Sequence, residues 1–157
     1  METKHLTKEE SLLKEFQQIK AQEKRNIETT KKCVEYLDKQ ELQSLRNTCT
    51  NDFKLFMGSA AKAMSMDEAI PMIEMFYRAF PDYEHIIENI FASGTYVVML
   101  LTLTGTHKNS FQEVAPTNNR IAYKSIQIYK IVDDMVTEIH AVEDDLTMMT
   151  QIGFTLQ

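Results

Sequence analysis

The chain has 157 residues, of which 43% are hydrophobic and 25% are charged, and its formal net charge is −6. This composition is typical of a single globular domain. No cluster of Lys and Arg occurs beyond residues 1–25. Nucleic-acid binding is therefore not expected, because phosphate recognition needs a concentrated basic surface.

The sequence also argues against a membrane or secreted protein. The longest apolar run, Tyr96 to Leu101, is too short to span a bilayer, and the charged N-terminus lacks the apolar core of a signal peptide. The two cysteines, Cys33 and Cys49, have no metal-binding spacing and fit reduced thiols. We therefore expect a cytoplasmic protein that does not bind membranes.

The N-terminal residues have the pattern of a long helix. Thr7 and Glu10 have the spacing of a capping box, which predicts a helix that begins near Lys8. Its thin apolar stripe consists of Leu12, Phe16 and Ile19. We interpret residues 1–25 as a helical extension that docks or caps, and residues 26–157 as the main domain.

The remaining chain places helices first and strands later. A short helix and a short strand precede a helix that is predicted to begin near Ser65 or Asp67 and to stop at Pro81. Four β runs follow, with hairpin turns predicted at Gly94 and at Asp133–Asp134. This order predicts an α+β fold in which a curved antiparallel sheet carries helices on one face.

Alternation along the strands predicts a polar set of side chains on one sheet face. The third β run contributes Tyr123, Ser125, Gln127 and Tyr129, and the fourth, if it stays straight, contributes Val136, Glu138, His140, Val142 and Asp144. Scattered polar groups on an otherwise apolar face are typical of a ligand cavity. A hydrophobic small molecule is the expected partner.

The opposite sheet face is also rich in apolar residues. It is predicted to contain Val98, Leu100, Ile126, Ile128 and Ile139. Because such a surface would contact water unfavourably, we expect a homodimer that packs through the outer face of the sheet.

Four stretches of the chain resemble the SnoaL-like polyketide cyclases of the nuclear transport factor 2-like superfamily. They are "AFPDYE" (Ala79–Glu84), "GTHKNSF" (Gly105–Phe111), "APTNNRIAYKSIQIYKI" (Ala115–Ile131) and "DDMVTEIHAVEDDLTMMTQIG" (Asp133–Gly153). The resemblance implies a cone-like sheet wrapped around N-terminal helices, with a pocket inside, usually in a dimer. For the true cyclases it also implies cofactor-free intramolecular aldol closure, with one Asp at the end of the last strand as general acid/base. Asp144 matches that Asp.

Asp144 has two interpretations. An aldol closure needs a group that takes a proton from carbon and returns one to oxygen, and a carboxyl with a pKa near the working pH can do both. Alternatively, Asp144 or Asp145 caps the helix predicted from Leu146 to Ile152. Both hold if Asp145 caps and Asp144 points inward.

The other candidate residues also have more than one interpretation. His140 either orients the substrate and tunes the Asp144 carboxylate, or is a core histidine hydrogen-bonded to Glu138 or Tyr123. His107 lies either at the mouth of the pocket or in an exposed loop. Tyr123, Ser125 and Gln127 are predicted to bind substrate oxygens, or else to form a buried hydrogen-bond network.

A metal site is not expected, because His85, His107 and His140 lie on separate runs without the close spacing of metal motifs. The leading hypothesis is a cyclase that uses Asp144 and His140 without any cofactor. Isomerisation or dehydration in the same pocket is a close variant. The rival hypothesis is a non-catalytic module of the same fold that binds a ligand or has a regulatory role.

Overall fold

The computed structural model describes residues 7–59 and 62–155, so residues 1–6 of the predicted extension lie outside the described residues. In chain order, the elements are α1 (Lys8–Asp38), α2 (Leu42–Asn47), β1 (Cys49–Met57), α3 (Met66–Ala79), β2 (Glu84–Ser93), β3 (Tyr96–Thr106), β4 (Arg120–Val132), β5 (Met135–Glu143) and α4 (Asp145–Gln151). Helices precede most of the strands, as predicted.

Helix α1 begins where the capping box predicts. The Thr7 hydroxyl accepts from the backbone N–H of Glu10 at 3.2 Å, and the Glu10 carboxylate accepts from the backbone N–H of Thr7 at 2.8 Å. The helix continues without interruption through residues 25 and 26, but its residues 8–20 are all exposed, and burial begins at Asn26. The division of the chain at residue 26 stays a prediction.

The five strands form one sheet in the order β1-β5-β4-β3-β2, in which β1 and β5 are parallel and all other neighbours are antiparallel. The helices cover one face of this sheet, and the hydrophobic core lies between the helices and that face. The inner positions of β3 are Val97, Met99, Leu101 and Leu103, all of them 0% exposed. The predicted α+β fold is confirmed.

Both predicted hairpins are present. Gly94 has φ of 59° in the β2–β3 turn, a backbone conformation that glycine adopts without steric cost. Asp133 and Asp134 both have positive φ, 50° and 62°, between the paired residues Val132 and Met135. A two-residue turn of this kind matches the right-handed twist of its strands, so it determines the register of β4 against β5.

Strand β5 differs from the straight strand that was predicted. Ile131 pairs with Val136, whereas the adjacent Lys130 pairs with Glu138, so Thr137 is an extra residue that forms a β-bulge. An extra residue reverses the side-chain alternation. Beyond Thr137 the inner face therefore carries Ile139, Ala141 and Glu143, and the outer face carries Glu138, His140 and Val142.

The prediction for the outer sheet face consequently needs one correction. Ile139 was expected there, but it is buried at 9% exposure because of the bulge, and Val142 is instead 62% exposed. The outer face is nevertheless apolar. Its exposed residues on β2 to β5 include Ile86, Phe91, Leu100, Ile126, Ile128 and Val142.

None of the helices in the described parts of the chain has both the length and the apolar character needed to cross a membrane.

Candidate functional site

A partly open cavity of about 100 Å³ lies between the helices and the inner faces of β1, β4 and β5. Most of its lining side chains are aliphatic, methionine or aromatic residues. Besides tyrosine hydroxyls, the polar side chains that line it are His85, Gln127 and Glu143. An apolar cavity with a few convergent polar groups is typical of a small-molecule site.

Glu143 is the last residue of β5 and points into the cavity because of the bulge at Thr137. Its desolvation, together with the nearby negative charge of Asp145, raises the pKa of the carboxyl to about 7. The positive charge of His85 and hydrogen bonds from Tyr123 and Ser125 act in the opposite direction. The carboxyl can therefore both accept and release a proton near neutral pH.

Two buried residues of β4, Ser125 and Tyr123, form hydrogen bonds with the Glu143 carboxylate. Ser125 is directly paired with Glu143 across β4 and β5, and the hydroxyl of Tyr123 lies 2.5 Å from that of Tyr83. Burial raises the pKa of both tyrosines, so their hydroxyls stay protonated and available as donors. Neither Ser125 nor Tyr123 is among the residues that line the cavity, and their predicted contact with a ligand stays a prediction.

His85, which lines the cavity, is paired with Asp38. Nδ1 of His85, on β2, lies 2.6 Å from Oδ1 of Asp38, the last residue of α1. The backbone N–H of His85 donates to the same carboxylate at 3.2 Å. This second bond fixes the orientation of the pair, and the contact through Nδ1 leaves Nε2 of His85 for a ligand.

Gln127 is the one predicted site residue that lines the cavity, and it is 6% exposed. Its Oε1 accepts from the Tyr129 hydroxyl at 3.2 Å, and its Nε2 donates to the Ser125 hydroxyl at 3.4 Å. A side-chain amide has two N–H groups, so Gln127 keeps one donor for a ligand oxygen.

Asp144 does not line the cavity. It is exposed, and its carboxylate caps α4 by accepting from the backbone N–H of Thr147 at 3.1 Å and from the Thr147 hydroxyl at 2.7 Å. These bonds lower the pKa of Asp144. The capping interpretation therefore describes its position, and the catalytic role stays a prediction that this position does not favour.

His140 lies on the outer face and not with the cavity residues, because the bulge reverses the alternation before it is reached. Its ring stacks on that of Phe56, with centroids 4.4 Å apart and planes 5° from parallel. Its Nε2 lies 3.6 Å from the Glu138 carboxylate, which also accepts from Lys130 at 3.1 Å. The expected approach of His140 to the carboxylate of Asp144 is thus not observed.

His107 is neither at the mouth of the cavity nor exposed, since it is 0% exposed and packs beside Phe80, with ring centroids 5.3 Å apart. Its Nδ1 accepts from the backbone N–H of Thr117 at 3.4 Å and lies 3.1 Å from the Thr117 hydroxyl. Burial lowers the pKa of His107. These contacts make it an anchor for the loop between β3 and β4.

Among the described residues, no group of three or more His, Cys, Asp or Glu side chains is arranged to hold a metal ion. Cys33 and Cys49 are free and buried, and burial raises the pKa of both thiols. Thiols with a raised pKa are poor nucleophiles at neutral pH.

The sequence interpretation did not identify Glu143, Asp38 or the cavity role of His85. Asp144 precedes Thr147 by three residues, which is the spacing of an N-cap contact. Because this spacing favours Asp144 as the N-cap of α4, Glu143 is the last carboxylate of the preceding strand. No local pattern links Asp38 to His85, which is 47 residues away in the chain.

The sequence model of one family, the SnoaL-like polyketide cyclases, matches residues 27–152, which is most of the chain. No curated protein matches the chain. Many solved structures resemble its fold.

A protein from Jannaschia sp. CCS1, assigned as a SnoaL-like polyketide cyclase, has 25% identity and a TM-score of 0.77, covering 85% of this chain and 95% of its own. IdmH from Streptomyces antibioticus, assigned as a polyketide cyclase, has 19% identity and a TM-score of 0.76, covering 82% and 99%. AclR from Streptomyces galilaeus, assigned as a hydroxylase, has 21% identity and a TM-score of 0.75, covering 82% and 95%. The fold is the one that the resemblance implies, and the family match shows that this chain belongs to the SnoaL-like polyketide cyclase family.

Proposed function

We propose that this protein is a small-molecule enzyme that catalyses intramolecular aldol-type cyclisation of a hydrophobic carbonyl compound by general acid/base chemistry, without a cofactor. The observation that carries the proposal is the Glu143 carboxylate inside an otherwise apolar cavity that also contains His85 and Gln127. In this proposal Glu143 takes the catalytic role that the family resemblance implied for Asp144.

The environment of Glu143 suits proton abstraction from carbon. Such a base needs a pKa close to the working pH, so that it is ionised before the reaction and holds the proton afterwards. Desolvation of the carboxyl supplies this property, because it raises the pKa to about 7. The apolar walls also keep bulk water away from the enolate that forms.

The Asp38–His85 pair supplies the complementary acid. In its protonated form His85 donates from Nε2 to the carbonyl oxygen that becomes a hydroxyl, and Asp38 stabilises the imidazolium at 2.6 Å. The remaining N–H of Gln127 binds a carbonyl oxygen in the same cavity. His85 therefore replaces His140 in the catalytic role that we predicted from the sequence.

The comparisons support this class of reaction. The protein from Jannaschia sp. CCS1 and IdmH are both assigned as polyketide cyclases, whereas AclR is assigned as a hydroxylase. Because one fold hosts several chemistries, the residues of the cavity have to decide the activity.

A non-catalytic module that binds a ligand or has a regulatory role is the second candidate function. It is favoured by the lining of the cavity, which is mostly apolar and includes Met57, Met66 and Met72. Methionine side chains adapt to ligands of different shapes. In this case Glu143 would only bind a polar group of the ligand.

The exchange of α-protons of cyclohexanone in D₂O, followed by proton NMR, separates the two functions. We expect the wild type to accelerate the exchange over buffer and Glu143→Gln to lose at least a hundredfold in rate, because general-base catalysis contributes about 10²–10⁴-fold. Glu138→Gln is the matched control, since Glu138 lies on the same strand but on the outer face. Exchange by the wild type no faster than in buffer would favour the ligand-binding module.

We also propose that two copies pack through the outer face of the sheet and that the protein functions in the cytoplasm. The exposed apolar residues of β2 to β5 support the dimer, because an apolar surface of this kind is stabilised when a second copy covers it. Two buried cysteines that remain free thiols suit a reducing compartment.

A further inference from the structure

Two tyrosine hydroxyls connect the Glu143 carboxyl to a second point of the cavity. The hydroxyl oxygens of Tyr83 and Tyr123 lie 2.5 Å apart, and Tyr123 also forms a hydrogen bond with Glu143. Tyr83 lines the cavity, whereas Tyr123 is not among its lining residues. The three groups therefore form a chain that leaves the cavity at Glu143 and returns to it at Tyr83.

The position of Tyr83 is fixed by its packing. Its ring contacts those of Phe76 and Tyr77, with centroids 5.7 Å and 5.8 Å away. Its backbone lies close to Gly105 on β3, where an added Cβ would be 3.5 Å from the Tyr83 Cα. Because Tyr83 is only 7% exposed and Tyr123 3%, neither side chain has room to turn away. The contact between the two hydroxyls is therefore a stable feature of the fold.

The direction of this chain depends on the protonation state of Glu143. A hydroxyl donates one hydrogen bond and can accept others. When Glu143 is ionised it can only accept, so Tyr123 donates to Glu143 and Tyr83 donates to Tyr123. When Glu143 is protonated it can donate to Tyr123, which then donates to Tyr83. The Tyr83 hydroxyl therefore presents a free proton to the cavity only after Glu143 has taken one up.

The chain is short enough to serve one carbonyl group. Two hydrogen bonds in series keep the Tyr83 oxygen within roughly 5.5 Å of the Glu143 carboxylate. The oxygen of a ketone and the hydrogen on its α-carbon are close neighbours. One ketone group can therefore contact both ends of the chain at the same time.

We propose that Tyr83 and Tyr123 form a proton relay, which carries the proton taken up by Glu143 to the oxygen of the same ketone group and so converts the ketone to its enol. Tyr83 is then a catalytic residue, and Tyr123 is a positioning residue that acts through it. This inference rests on the proposed function, since it uses Glu143 as the base. His85 remains the acid for the second carbonyl group.

The transfer is balanced by groups of the site alone. The α-C–H bond breaks, its proton goes to Glu143, and its electron pair forms the C=C bond of the enol. Glu143 passes the proton to Tyr123, Tyr123 passes its own to Tyr83, and Tyr83 passes its own to the ketone oxygen. The π electron pair of the carbonyl forms the new O–H bond. Glu143 is then a carboxylate again, and each tyrosine still holds one proton.

The other titratable groups that face the two ends of the relay lie on three further elements. They are Asp145 on α4, His85 on β2 and Tyr77 on α3. The titration of such a group can reach Tyr83 through space, so the experiment has to separate that effect from the relay. Tyr123→Phe does so, because Tyr123 is the one described residue that is bonded to both ends.

Carbon NMR of the full chain, labelled at the tyrosine ζ carbons, tests the relay without any ligand. The Tyr83 resonance is assigned from Tyr83→Phe. In the wild type we expect it to show a step at the pH where Glu143 titrates, about 7, because reversal of the chain changes the hydrogen bonds of Tyr83. The step should be absent in Glu143→Gln. It should also be absent in Tyr123→Phe, although Glu143 still titrates there.

The outcomes that would overturn the relay are specific. A Tyr83 step that persists in Tyr123→Phe would be a through-space effect of Glu143. A step that persists in Glu143→Gln would come from His85, whose ring centroid lies 5.3 Å from that of Tyr83. A flat Tyr83 resonance in the wild type, while Glu143 titrates, would also exclude the relay.

The α-proton exchange of cyclohexanone tests whether the relay acts in catalysis. We expect Tyr83→Phe and Tyr123→Phe each to lower kcat by at least about tenfold, with KM changed by less than about twofold. The double variant should lose no more than either single variant, because the two hydroxyls act as one unit. Tyr36→Phe is the matched control, since Tyr36 is a partly buried tyrosine packed against the core that does not line the cavity.

A loss of kcat in Tyr83→Phe but not in Tyr123→Phe would make Tyr83 a direct donor and would overturn the relay. Losses that multiply in the double variant would do the same, because they would show two independent roles. Exchange by the wild type no faster than in buffer would instead contradict the proposed function, whereas the NMR titration decides by itself whether the hydroxyl chain couples Tyr83 to Glu143.

Discussion

Ser125 and Glu143 are directly paired across β4 and β5, and both side chains lie on the inner face of the sheet. This register brings the carboxylate beside the buried hydroxyls of Ser125 and Tyr123, at the edge of an apolar cavity. The site is therefore assembled from two adjacent strands that pack against the helices. Because burial disfavours the charged form of the Glu143 carboxyl, its ionisation lowers the stability of the folded protein.

The first prediction concerns stability and pH. The folded pKa of Glu143 is about 7 and its ordinary value is 4.5, so the folded state holds the proton more tightly than the unfolded state does. The free energy of unfolding should therefore fall as the pH rises from about 4.5 to about 7, and stay lowered above that range. We expect Glu143→Gln, which cannot ionise, to be more stable than the wild type at pH 8 by up to about 3 kcal/mol.

Urea unfolding at pH 4 and pH 8, followed by circular dichroism, measures this difference. At pH 4 the wild type and Glu143→Gln should be similar in stability. Glu138→Gln serves as a control of opposite sign, because the bond with Lys130 lowers the pKa of Glu138 and removing it should not stabilise the protein at pH 8. Equal stability of wild type and Glu143→Gln at pH 8 would contradict the raised pKa.

The second prediction tests the bulge at Thr137. Ile139 is buried because the bulge turns it inward, whereas Val142 points outward. We expect Ile139→Ala to lower the free energy of unfolding by about 2–4 kcal/mol, and Val142→Ala by less than about 1 kcal/mol. A straight strand would reverse this order, so thermal or urea unfolding of the two variants distinguishes the two registers.

The third prediction concerns the cap of α4. Asp144→Ala removes the acceptor for the backbone N–H of Thr147 and should cost about 1 kcal/mol of stability. Asp144→Asn keeps an acceptor and should be close to the wild type in stability. Both variants should retain α-proton exchange of cyclohexanone. A loss of exchange in folded Asp144→Asn would restore the catalytic role predicted from the sequence.

The fourth prediction concerns Asp38 as a positioning residue. Asp38→Asn weakens the two bonds that hold His85 in place, and the interaction of Glu143 with His85 in this arrangement lowers the pKa of Glu143. The pKa of Glu143 should therefore rise above about 7 in this variant, as measured by carbon NMR of labelled glutamate. The pH profile of cyclohexanone exchange should shift in the same direction.

Asp67→Asn is the matched control for Asp38→Asn. Asp67 is an exposed acid paired with Arg46 at 2.6 Å on the surface, away from the cavity lining. The Asp67→Asn variant should therefore leave the NMR titration of Glu143 unchanged. If Asp38→Asn also leaves that titration unchanged, then the Asp38–His85 pair does not act on the carboxyl.

The fifth prediction concerns the outer face of the sheet. Ile126 is 51% exposed and lies on β4, in the middle of this face. Ile126→Lys places a charge in the proposed interface, so it should convert the dimer to a folded monomer in sedimentation equilibrium. Leu12→Lys is the control, because Leu12 is 56% exposed on α1 and lies away from the sheet. A wild type that sediments as a monomer would rule out the proposed dimer.

The fold could be predicted from the sequence because its determinants are local. The spacing of Thr7 and Glu10 predicts the start of α1, and Asp133–Asp134 predicts the second hairpin. Strict alternation along β4 predicts the inner positions of Tyr123 and Gln127, both of which are buried. Each of these patterns depends on residues only a few positions apart, so a single chain is enough to recognise it.

The site was only partly predictable, for two physical reasons. A bulge depends on the pairing of β5 with β4 across the sheet, so nothing adjacent to Thr137 in the chain indicates that the alternation reverses there. The contact between Asp38 and His85 depends on how α1 crosses β2, which is a tertiary relationship. Gln127 lies on the inner face where the alternation of β4 predicts it, because no irregularity separates it from the rest of the strand, and its role in binding a ligand stays a prediction.

The bulge also has a consequence for comparisons between relatives. Glu143 and Asp144 are neighbouring carboxylates, and one extra residue at Thr137 decides which of them faces the cavity. In a relative whose last strand has the same length but runs straight, the residue aligned with Asp144 would occupy the inner position. The presence or absence of a bulge in this strand can therefore exchange one acid for another of different length. Residues with the same function in two relatives are then those that occupy the same position in the structure, and not those that share an alignment column.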